Sequence, residues 1–465
     1  MSVLPDFISE YSALFHAIRK IVPPSMKIYL VGGAVRDILL NRKIRDFDFS
    51  VEGLVRPIGK NVANELNGAY YVLDDEREMV RVIIDDETMG QFDVDIALMS
   101  GDDIADDLRE RDFTLNAMAI ELTDPPVLVD PLDGLMDLKN GILHMCSPDS
   151  LKNDPLRALR AVRMCLEFGL GMDDDLVGEL KSVRGLMGRS SMERYRDELF
   201  KIVKLHKNSQ AVRLFAGFEF LEHLFPGSAA GFGDEKVRNI ENADLFSLMM
   251  TRREDDDNIS DDPFMAYASQ RLGNYKPALK AFFDKTLALY HSRRMMLAYA
   301  SIVCELSDDI DQIKQWCMRL AFSSSELAFV ISAIQSCQYL VSFPNVVNCS
   351  DVDIYRYFRQ FKEGGVAGFA LYLASMYSER EIPDAYKHWC DCVVFIQNMI
   401  SAYFSRYMEV IDPKPLMSGN DIQSLLKIPA GPMIGKAKNA LIEAQISGSV
   451  RNLSEAESFL LHCCK

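Results

Sequence analysis

The sequence contains no long hydrophobic run. No window approaches the roughly twenty consecutive apolar residues that a helix needs to span a bilayer. The N-terminus also lacks the basic stretch followed by an apolar one that is typical of a secretory signal peptide. The ten cysteines are scattered, with no Cys-x-x-Cys spacing, and this pattern predicts reduced, mostly buried thiols. These absences argue against membrane and secreted proteins and favour a cytoplasmic one.

Positive charge is also scarce. The chain carries 51 lysines and arginines against 68 aspartates and glutamates, a net charge of −17. Such a balance argues against a protein that coats nucleic acid by general electrostatic attraction. If RNA binds, the positive charge must be concentrated on a few helices. The length of 465 residues is too great for one compact core and predicts two to four domains.

The most informative stretch begins with a short apolar strand, residues 28–31. Gly32 and Gly33 follow it, and residues 34–40 then have helical spacing. Glycines let backbone N–H groups approach an anion, and a helix N-terminus adds partial positive charge. This arrangement predicts a turn that binds phosphate, although a plain Gly-Gly turn remains an alternative.

A second strand begins after a basic loop, with the sequence Asp46-Phe47-Asp48-Phe49. Because strand side chains alternate between faces, the two aspartates should share one face while the phenylalanines enter the core. Neighbouring carboxylates repel each other unless a cation lies between them, and Mg²⁺ favours carboxylate and phosphate oxygens. The turn and the aspartate pair together predict metal-assisted nucleotidyl transfer. A solvated Asp-x-Asp on an edge strand is the alternative.

These residues carry a resemblance to a known family. Gly-Gly-x-Val-Arg-Asp-x-Leu-Leu followed by Asp-x-Asp resembles the first motif of class II tRNA nucleotidyltransferases and bacterial poly(A) polymerases. The resemblance implies an α+β multidomain fold, in which a nucleotidyltransferase head with a palm-type mixed sheet precedes an all-α neck, body and tail. The expected bounds are residues 1–145, 146–226, 227–400 and 401–465.

Further head residues follow from the resemblance. The third acidic residue of the family should be Asp95, with Asp93 as runner-up, although a charged edge strand is the alternative. Arg111 and Asp112 match the motif whose side chains hold the phosphate and ribose of the nucleotide. Glu110 replaces the first arginine of that motif. Arg109 to Ala119 is predicted to form a compact apolar helix with this charged pair at its edge.

A helix that is predicted to begin at Asn153 carries arginines at every third position. Arg157, Arg160 and Arg163 share one face, where they should repel each other unless an anion neutralises them. A solvated helix face is the alternative. The segment resembles the Glu-Asp-x-x-Arg motif of the family, with Asn153 in place of the glutamate. The resemblance implies that Asp154 and Arg157 select the incoming base and that the next two arginines bind the triphosphate.

The rest of the chain has weaker signals. Residues 264–410 alternate apolar helical segments with polar breaks and show no strand-like alternation. Near the C-terminus, Gly431-Pro432 predicts a helix start, with Lys436 and Lys438 one turn later. This segment resembles the tail of tRNA nucleotidyltransferases. The resemblance implies that the tail binds an arm of the tRNA through its backbone. A packed loop between helices is the alternative.

The resemblance implies template-independent addition of CCA to tRNA from CTP and ATP. Asp46 and Asp48 would hold one Mg²⁺, and a second Mg²⁺ would bridge the triphosphate. Gly33 and Arg36, together with the later motif arginines, would neutralise phosphate charge. The alternatives are addition of CC only, of A only or of poly(A), and an inactive RNA-binding protein that retains the fold. No membrane partner is expected, and the sequence does not indicate an oligomeric state.

Overall fold

A computed structural model describes residues 11–86, 90–228, 233–251, 262–288, 291–343 and 349–463. The chain forms two compact units, Met1–Ser191 and Met192–Lys465. The expected boundary near residue 145 lies inside the first unit, and the division into four domains stays a prediction. The acidic stretch at 252–261 lies outside the described residues.

The first unit contains a mixed seven-stranded sheet with the order β3-β4-β5-β2-β1-β6-β7. Strands β2 and β5 are parallel, and all other neighbours in this sheet are antiparallel. A separate pair, β8 and β9, is parallel. The strands are β1 Ile28–Val31, β2 Asp46–Val51, β3 Ala69–Asp74, β4 Met79–Asp86, β5 Gly90–Leu98, β6 Ala119–Glu121, β7 Val127–Val129, β8 Ile142–Leu143 and β9 Gly171–Met172.

The side chains of β2 alternate between the core and the opposite face of the sheet, as predicted. Phe47 and Phe49 are buried in the main core of this unit, whereas Asp46 is exposed and Asp48 is partly buried. The ring of Tyr11 packs edge-on against Phe47, with 5.0 Å between ring centroids. The apolar face of the strand therefore anchors it, and the opposite face carries the carboxylates.

The helix predicted from Arg109 to Ala119 is wrong. Only Thr114–Asn116 forms a turn of 3₁₀-helix there, and β6 begins at Ala119. The backbone of Ala119 pairs with Val31 on β1, so sheet pairing overrides the local helical preference. The short strands β6 and β7 were not predicted, because three-residue strands show too little alternation to be recognised.

Eight α-helices accompany this sheet in the described part of the first unit. They are α1 Ser12–Ile21, α2 Gly33–Leu39, α3 Val55–Glu65, α4 Ile104–Arg109, α5 Gly134–Asn140, α6 Ser150–Asn153, α7 Arg157–Phe168 and α8 Asp174–Val183. The predicted start of α7 at Asn153 is wrong. Asp154 is extended, with φ −139° and ψ 97°, because the following Pro155 disfavours helical backbone at that position.

The second unit is almost entirely helical. Its helices are α9 Met192–Val203, α10 Asn208–Gly217, α11 Leu221–Leu224, α12 Asp234–Met249, α13 Pro263–Leu272, α14 Lys276–Asp284, α15 Arg293–Leu306, α16 Ile310–Arg319, α17 Ser324–Val341, α18 Asp351–Phe361, α19 Gly364–Ser378, α20 Ala385–Ser405, α21 Gly419–Leu426, α22 Pro432–Ile446 and α23 Leu453–Cys463. A π-helical turn, Tyr407–Ile411, follows α20. None of the described helices has the length and apolar character to cross a membrane.

Two sequence expectations about this unit have different outcomes. The expected lack of strands in residues 264–410 is wrong, since β10 (Thr286–Ala288) and β11 (His291–Ser292) form a small antiparallel pair. The predicted helix start at Gly431-Pro432 is confirmed by α22. Proline suits this position because the first helical residue needs no intrahelical N–H bond.

Candidate active site

Four carboxylates lie on one face of two adjacent strands. The parallel register of β2 and β5 sets Asp46 beside Asp93 and Asp48 beside Asp95. Burial and then the charge of Asp95 raise the pKa of Asp48 to about 6. Burial and then the charge of Asp93 raise the pKa of Asp46. Raised pKa values mean that the fold disfavours these negative charges, so a cation would stabilise the group.

The glycine turn lies directly against this group. Gly32 has a φ of +72°, and a Cβ atom built there would lie 3.6 Å from Oδ2 of Asp48 and 3.0 Å from Nη1 of Arg111. Any side chain at this position would therefore enter the space between a carboxylate and a guanidinium. Gly33 begins α2, and its modest crowding comes from the guanidinium of Arg36.

Arg111 retains unused hydrogen-bonding capacity. Its Nη2 donates to Oδ2 of Asp107 at 3.0 Å. Its buried Nε has no hydrogen-bond partner among the residues that the structure describes. A guanidinium beside a glycine turn with free donors is suited to an anionic ligand such as phosphate.

The structure adds Arg81 on β4, a residue that the sequence reasoning missed. Its Nε and Nη2 donate to the two carboxylate oxygens of Asp95 at 2.8 and 2.7 Å. Its Nη1 lies 3.1 Å from Oδ2 of Asp93. The antiparallel register of β4 and β5 places Arg81 opposite Asp95. The alternation of Met79-Val80-Arg81-Val82 was the signal that this arginine shares a face with the aspartates.

The contact with Arg81 occupies Asp95, the carboxylate predicted as the third catalytic acid. Asp95 is only 8% exposed, and both of its oxygens accept hydrogen bonds from Arg81. Over the described residues, no cluster of three or more His, Cys, Asp or Glu side chains has the geometry to hold a metal ion. Asp46 and Asp48 remain the two carboxylates without a described ion-pair partner.

The guanidinium of Arg36 binds other side chains of the protein. Its side chain forms hydrogen bonds with both oxygens of Asp37 and donates from Nη1 to Oδ1 of Asn116 at 2.6 Å. The guanidinium carbon lies 4.3 Å from the centroid of the Phe168 ring. These contacts brace α2 against neighbouring segments, and the predicted phosphate contact of Arg36 stays a prediction.

Carboxylates accompany the two predicted triphosphate-binding arginines of α7. Nη2 of Arg160 lies 2.6 Å from Oδ2 of Asp112, and Nη1 of Arg163 donates to Oε2 of Glu167 at 2.9 Å. The anions that neutralise these two arginines in the structure are thus carboxylates of the protein, one from a distant segment and one from the next turn of α7. Their contacts with the triphosphate stay a prediction.

Arg157 connects α7 to the segment that carries Arg111. It donates from Nη1 to Oγ of Ser150 at 2.8 Å and to the carbonyl of Arg111 at 3.1 Å. Oδ1 of Asp154 accepts from Oγ of Ser190 at 3.3 Å. The side chains of Asp154 and Arg157 are partly buried. The geometry brings them to the same end of α7, and their role in base selection stays a prediction.

The predicted RNA-binding residues of the tail lie in the second unit. Gly431 immediately precedes α22 and is exposed. Lys436 is exposed and Lys438 is partly buried on the same helix. The structure therefore places both lysines within reach of solvent, and their binding role stays a prediction.

Replacing Gly32 with alanine should reduce nucleotide incorporation by about tenfold or more, because the methyl group would displace Arg111 or Asp48. With φ +72° and ψ −141°, this backbone should also cost an alanine about 1–3 kcal/mol of stability. Gly141→Ala is the control for positive φ without crowding, since Gly141 has a φ of +67° and, among the described residues, nothing beyond its chain neighbours lies within 4 Å of the point that its Cβ would occupy. A selective loss of activity in Gly32→Ala at a temperature where both variants are folded would support the site. Equal activity in both variants would contradict it.

Comparisons with known proteins extend these observations. Residues 28–144 match the family of the poly A polymerase head domain. The chain is 26% identical to the A-adding tRNA nucleotidyltransferase of Deinococcus radiodurans over 93% of this chain and 94% of that protein. It is also 26% identical to the CC-adding tRNA nucleotidyltransferase of Synechocystis over 94% of each chain.

Solved structures show the same fold. A CCA-adding enzyme in complex with ATP aligns with a TM-score of 0.71 and 21% identity, over 98% of this chain and 96% of that one. The Thermotoga maritima CCA-adding enzyme in complex with tRNA aligns with a TM-score of 0.63 and 20% identity, over 100% and 97% of the two chains. Residues 28–144 thus match a poly A polymerase head domain, and tRNA nucleotidyltransferases of two bacteria align with nearly the whole chain.

Proposed function

We propose that this protein adds the CCA sequence to the 3′ end of tRNA without a nucleic-acid template, using CTP and ATP and releasing pyrophosphate. The observation that carries the proposal is the convergence of Asp46 and Asp48 with the Gly32 turn and Arg111. This arrangement unites a carboxylate pair for a cation with donors for phosphate, as nucleotidyl transfer requires.

The residues at this site fit a divalent cation, and nucleotidyltransferases of this family generally use divalent metal ions. Asp46 and Asp48 would hold Mg²⁺, since their pKa values are raised and no described side chain forms an ion pair with them. When bound, a pair of such ions would lower the pKa of the primer 3′-hydroxyl and neutralise charge on the triphosphate. Asp95 fits a supporting position better than a ligand position, because Arg81 binds both of its oxygens.

The remaining site residues would bind and orient the nucleotide. The absence of a side chain at Gly32 would let a phosphate approach the guanidinium of Arg111. Asp112 would contact the ribose, while Arg160 and Arg163 would exchange part of their internal ion pairs for triphosphate oxygens. Asp154 would accept a hydrogen bond from the exocyclic amine that both cytosine and adenine carry, and Arg157 would donate to a ring nitrogen or carbonyl.

A partial activity is the second candidate. Full-length relatives named A-adding and CC-adding are equally similar to this chain, at 26% identity each. Addition of CC only or of A only would therefore use the same site with a different stopping point. Synthesis of poly(A) is a further alternative, and an inactive RNA-binding protein would have no need for the Asp46–Asp48 pair.

The purified protein should be incubated with labelled CTP, ATP or both, on tRNAs that end before the CCA sequence, after CC and after CCA. We expect C addition to the first substrate, A addition to the second and no extension of the third. Extension of only one of the first two would identify a partial activity, and long A tracts would identify a poly(A) polymerase. No incorporation on any substrate would contradict the proposed function.

Replacing Asp154 with alanine should relax base selection by about tenfold, because a directional hydrogen bond to the base is lost. The measurement is the ratio of kcat/KM values for CTP and ATP against those for GTP and UTP. Ser190→Ala is the control, since it removes the hydroxyl that contacts Asp154 and leaves the carboxylate in place. Unchanged discrimination in Asp154→Ala would exclude Asp154 from this role.

We further propose that the protein works in the cytoplasm. Cysteines at nine described positions are free thiols, five of them with pKa values that burial raises to about 12. Free thiols are typical of a reducing compartment. Fractionation of cells that express a tagged full-length chain tests this assignment.

A further inference from the structure

A cavity of about 300 Å³ lies in the second unit, remote in sequence from the carboxylate site. Its walls come from α18, the turn after it, the end of α20, the π-helical turn 407–411 and α22. The lining residues that matter here are Tyr355, Arg359, Lys362, Tyr403, Tyr407 and Asp412. This volume is at the small end of the range for small-molecule sites and suits one compact ligand.

Two cations at this cavity have no acidic partner among the described residues. In the described parts of the chain, the Lys362 ammonium has no hydrogen bond or ion pair, and Arg359 contacts only the ring of Tyr355, with its guanidinium carbon 6.0 Å from the centroid. The nearby Glu363 is already paired with the buried Arg293 at 2.5 Å. The remaining acid, Asp412, does not pair with either cation. An anionic group would therefore be stabilised here.

Aromatic side chains lie beside these cations. The ring centroids of Phe358 and Tyr403 are 4.9 Å apart, and those of Tyr403 and Tyr407 are 5.4 Å apart. Tyr407 is 42% exposed, so part of its ring is open to a ligand. It belongs to a π-helical turn, a feature that is frequent at functional sites. Exposed aromatic rings next to cations are the combination that binds unpaired nucleotides.

The backbone of Lys362 is strained. Its φ is +47° and its ψ is −134°, a conformation that glycine adopts readily and that costs other residues about 1 kcal/mol or more. Two bidentate ion pairs stabilise the helices around the cavity. They join Arg356 to Glu443 and Arg406 to Asp351.

We propose that this cavity binds a single nucleotide, with its base against Tyr407 and its phosphate between Arg359 and Lys362. Asp412 can accept a hydrogen bond from an exocyclic amine of the base. The nucleotide is either an unstacked residue of an RNA or a free nucleotide, since both present the same chemistry. The RNA form rests on the proposed function, because it supplies the RNA that occupies the site.

The test compares wild type with Lys362→Gly, Tyr407→Ala and the surface control Lys387→Ala. Lys362→Gly removes the charge and relieves the backbone strain, so its melting temperature should equal or exceed that of wild type. We expect both cavity variants to bind tRNA lacking CCA about fivefold or more weakly in filter binding, whereas Lys387→Ala binds normally. The dependence of log Kd on log salt should also fall by about one for Lys362→Gly.

Equilibrium dialysis with radiolabelled AMP distinguishes a free nucleotide from an RNA residue as the ligand of the cavity. Loss of one AMP site per chain in Lys362→Gly would identify a free nucleotide, and a selective loss of tRNA affinity would identify an RNA residue. Unchanged tRNA affinity and AMP stoichiometry in both cavity variants would overturn the proposal. Incorporation by the wild type is measured in parallel, so failure of the proposed catalytic function is distinguishable from failure of the cavity.

Discussion

Replacing Asp48 with asparagine should lower incorporation of CTP and ATP about a thousandfold or more while the protein stays folded. Asparagine keeps the shape of the side chain but removes the negative charge that a divalent cation requires. The measurement is single-turnover incorporation of labelled nucleotide into tRNA lacking CCA, at saturating Mg²⁺. A folded Asp48→Asn variant with wild-type activity would remove Asp48 from the metal site.

The same substitution should not destabilise the protein. The folded-state pKa of Asp48 is about 6, above its ordinary value of 3.8, so folding favours the protonated form. Stability from this group is present below the unfolded pKa and is lost as pH rises through about 6. Without divalent cations at pH 7.5, Asp48→Asn should therefore be more stable, by at most about 3 kcal/mol. Chemical denaturation at pH 5 and pH 7.5 checks the sign.

Asp93→Asn is the control for charge removal. Asp93 lies on the neighbouring strand, is paired with Arg81 and lies beside Asp46. We expect it to lose less than about tenfold in activity, since it does not need to bind the cation directly. If Asp93→Asn and Asp48→Asn lose the same activity, the effect reflects the total charge of the face rather than specific ligation.

The location of the carboxylate site was predictable because it depends on short-range patterns. The strand–glycine–helix segment and the alternation of Asp46 to Phe49 both follow from local sequence, and the structure has these elements in the expected places. The family resemblance predicted an acidic residue, Asp95, on a neighbouring strand, and β5 lies beside β2 with Asp95 opposite Asp48.

The interactions that the sequence did not reveal are long-range ones. Arg160 and Asp112 are separated by 48 positions, so periodicity along α7 cannot show that an acid faces the arginine. The start of β6 at Ala119 is likewise set by pairing with β1, which no local preference records. In both cases the fold brings together residues whose local signals are ambiguous, and the site acquires its charge balance only in three dimensions.

The second large effect is expected when Arg81, the partner of Asp95, is replaced. Arg81→Ala should destabilise the protein by about 2 kcal/mol, because it leaves the nearly buried Asp95 without its partner next to Asp48. Activity should fall about tenfold to a hundredfold as the β5 carboxylates repel Asp46 and Asp48. Arg77→Ala, on the exposed turn of the same hairpin, is the control and should change neither quantity by much.

A double-mutant cycle tests whether Asp95 only supports the site or is itself a metal ligand whose oxygens Arg81 occupies. If Arg81 only compensates the charge of Asp95, then Arg81→Ala combined with Asp95→Asn should recover most of the lost stability, and the affinity for Mn²⁺, measured by electron paramagnetic resonance, should not exceed that of wild type. If Asp95 is a third metal ligand that Arg81 masks, Arg81→Ala alone should bind Mn²⁺ more tightly, and Asp95→Asn should abolish that gain. Asp93→Asn in the Arg81→Ala background removes the same charge from the same arginine, so the second result contradicts the supporting position of Asp95 only if Asp93→Asn leaves the gain in Mn²⁺ affinity intact.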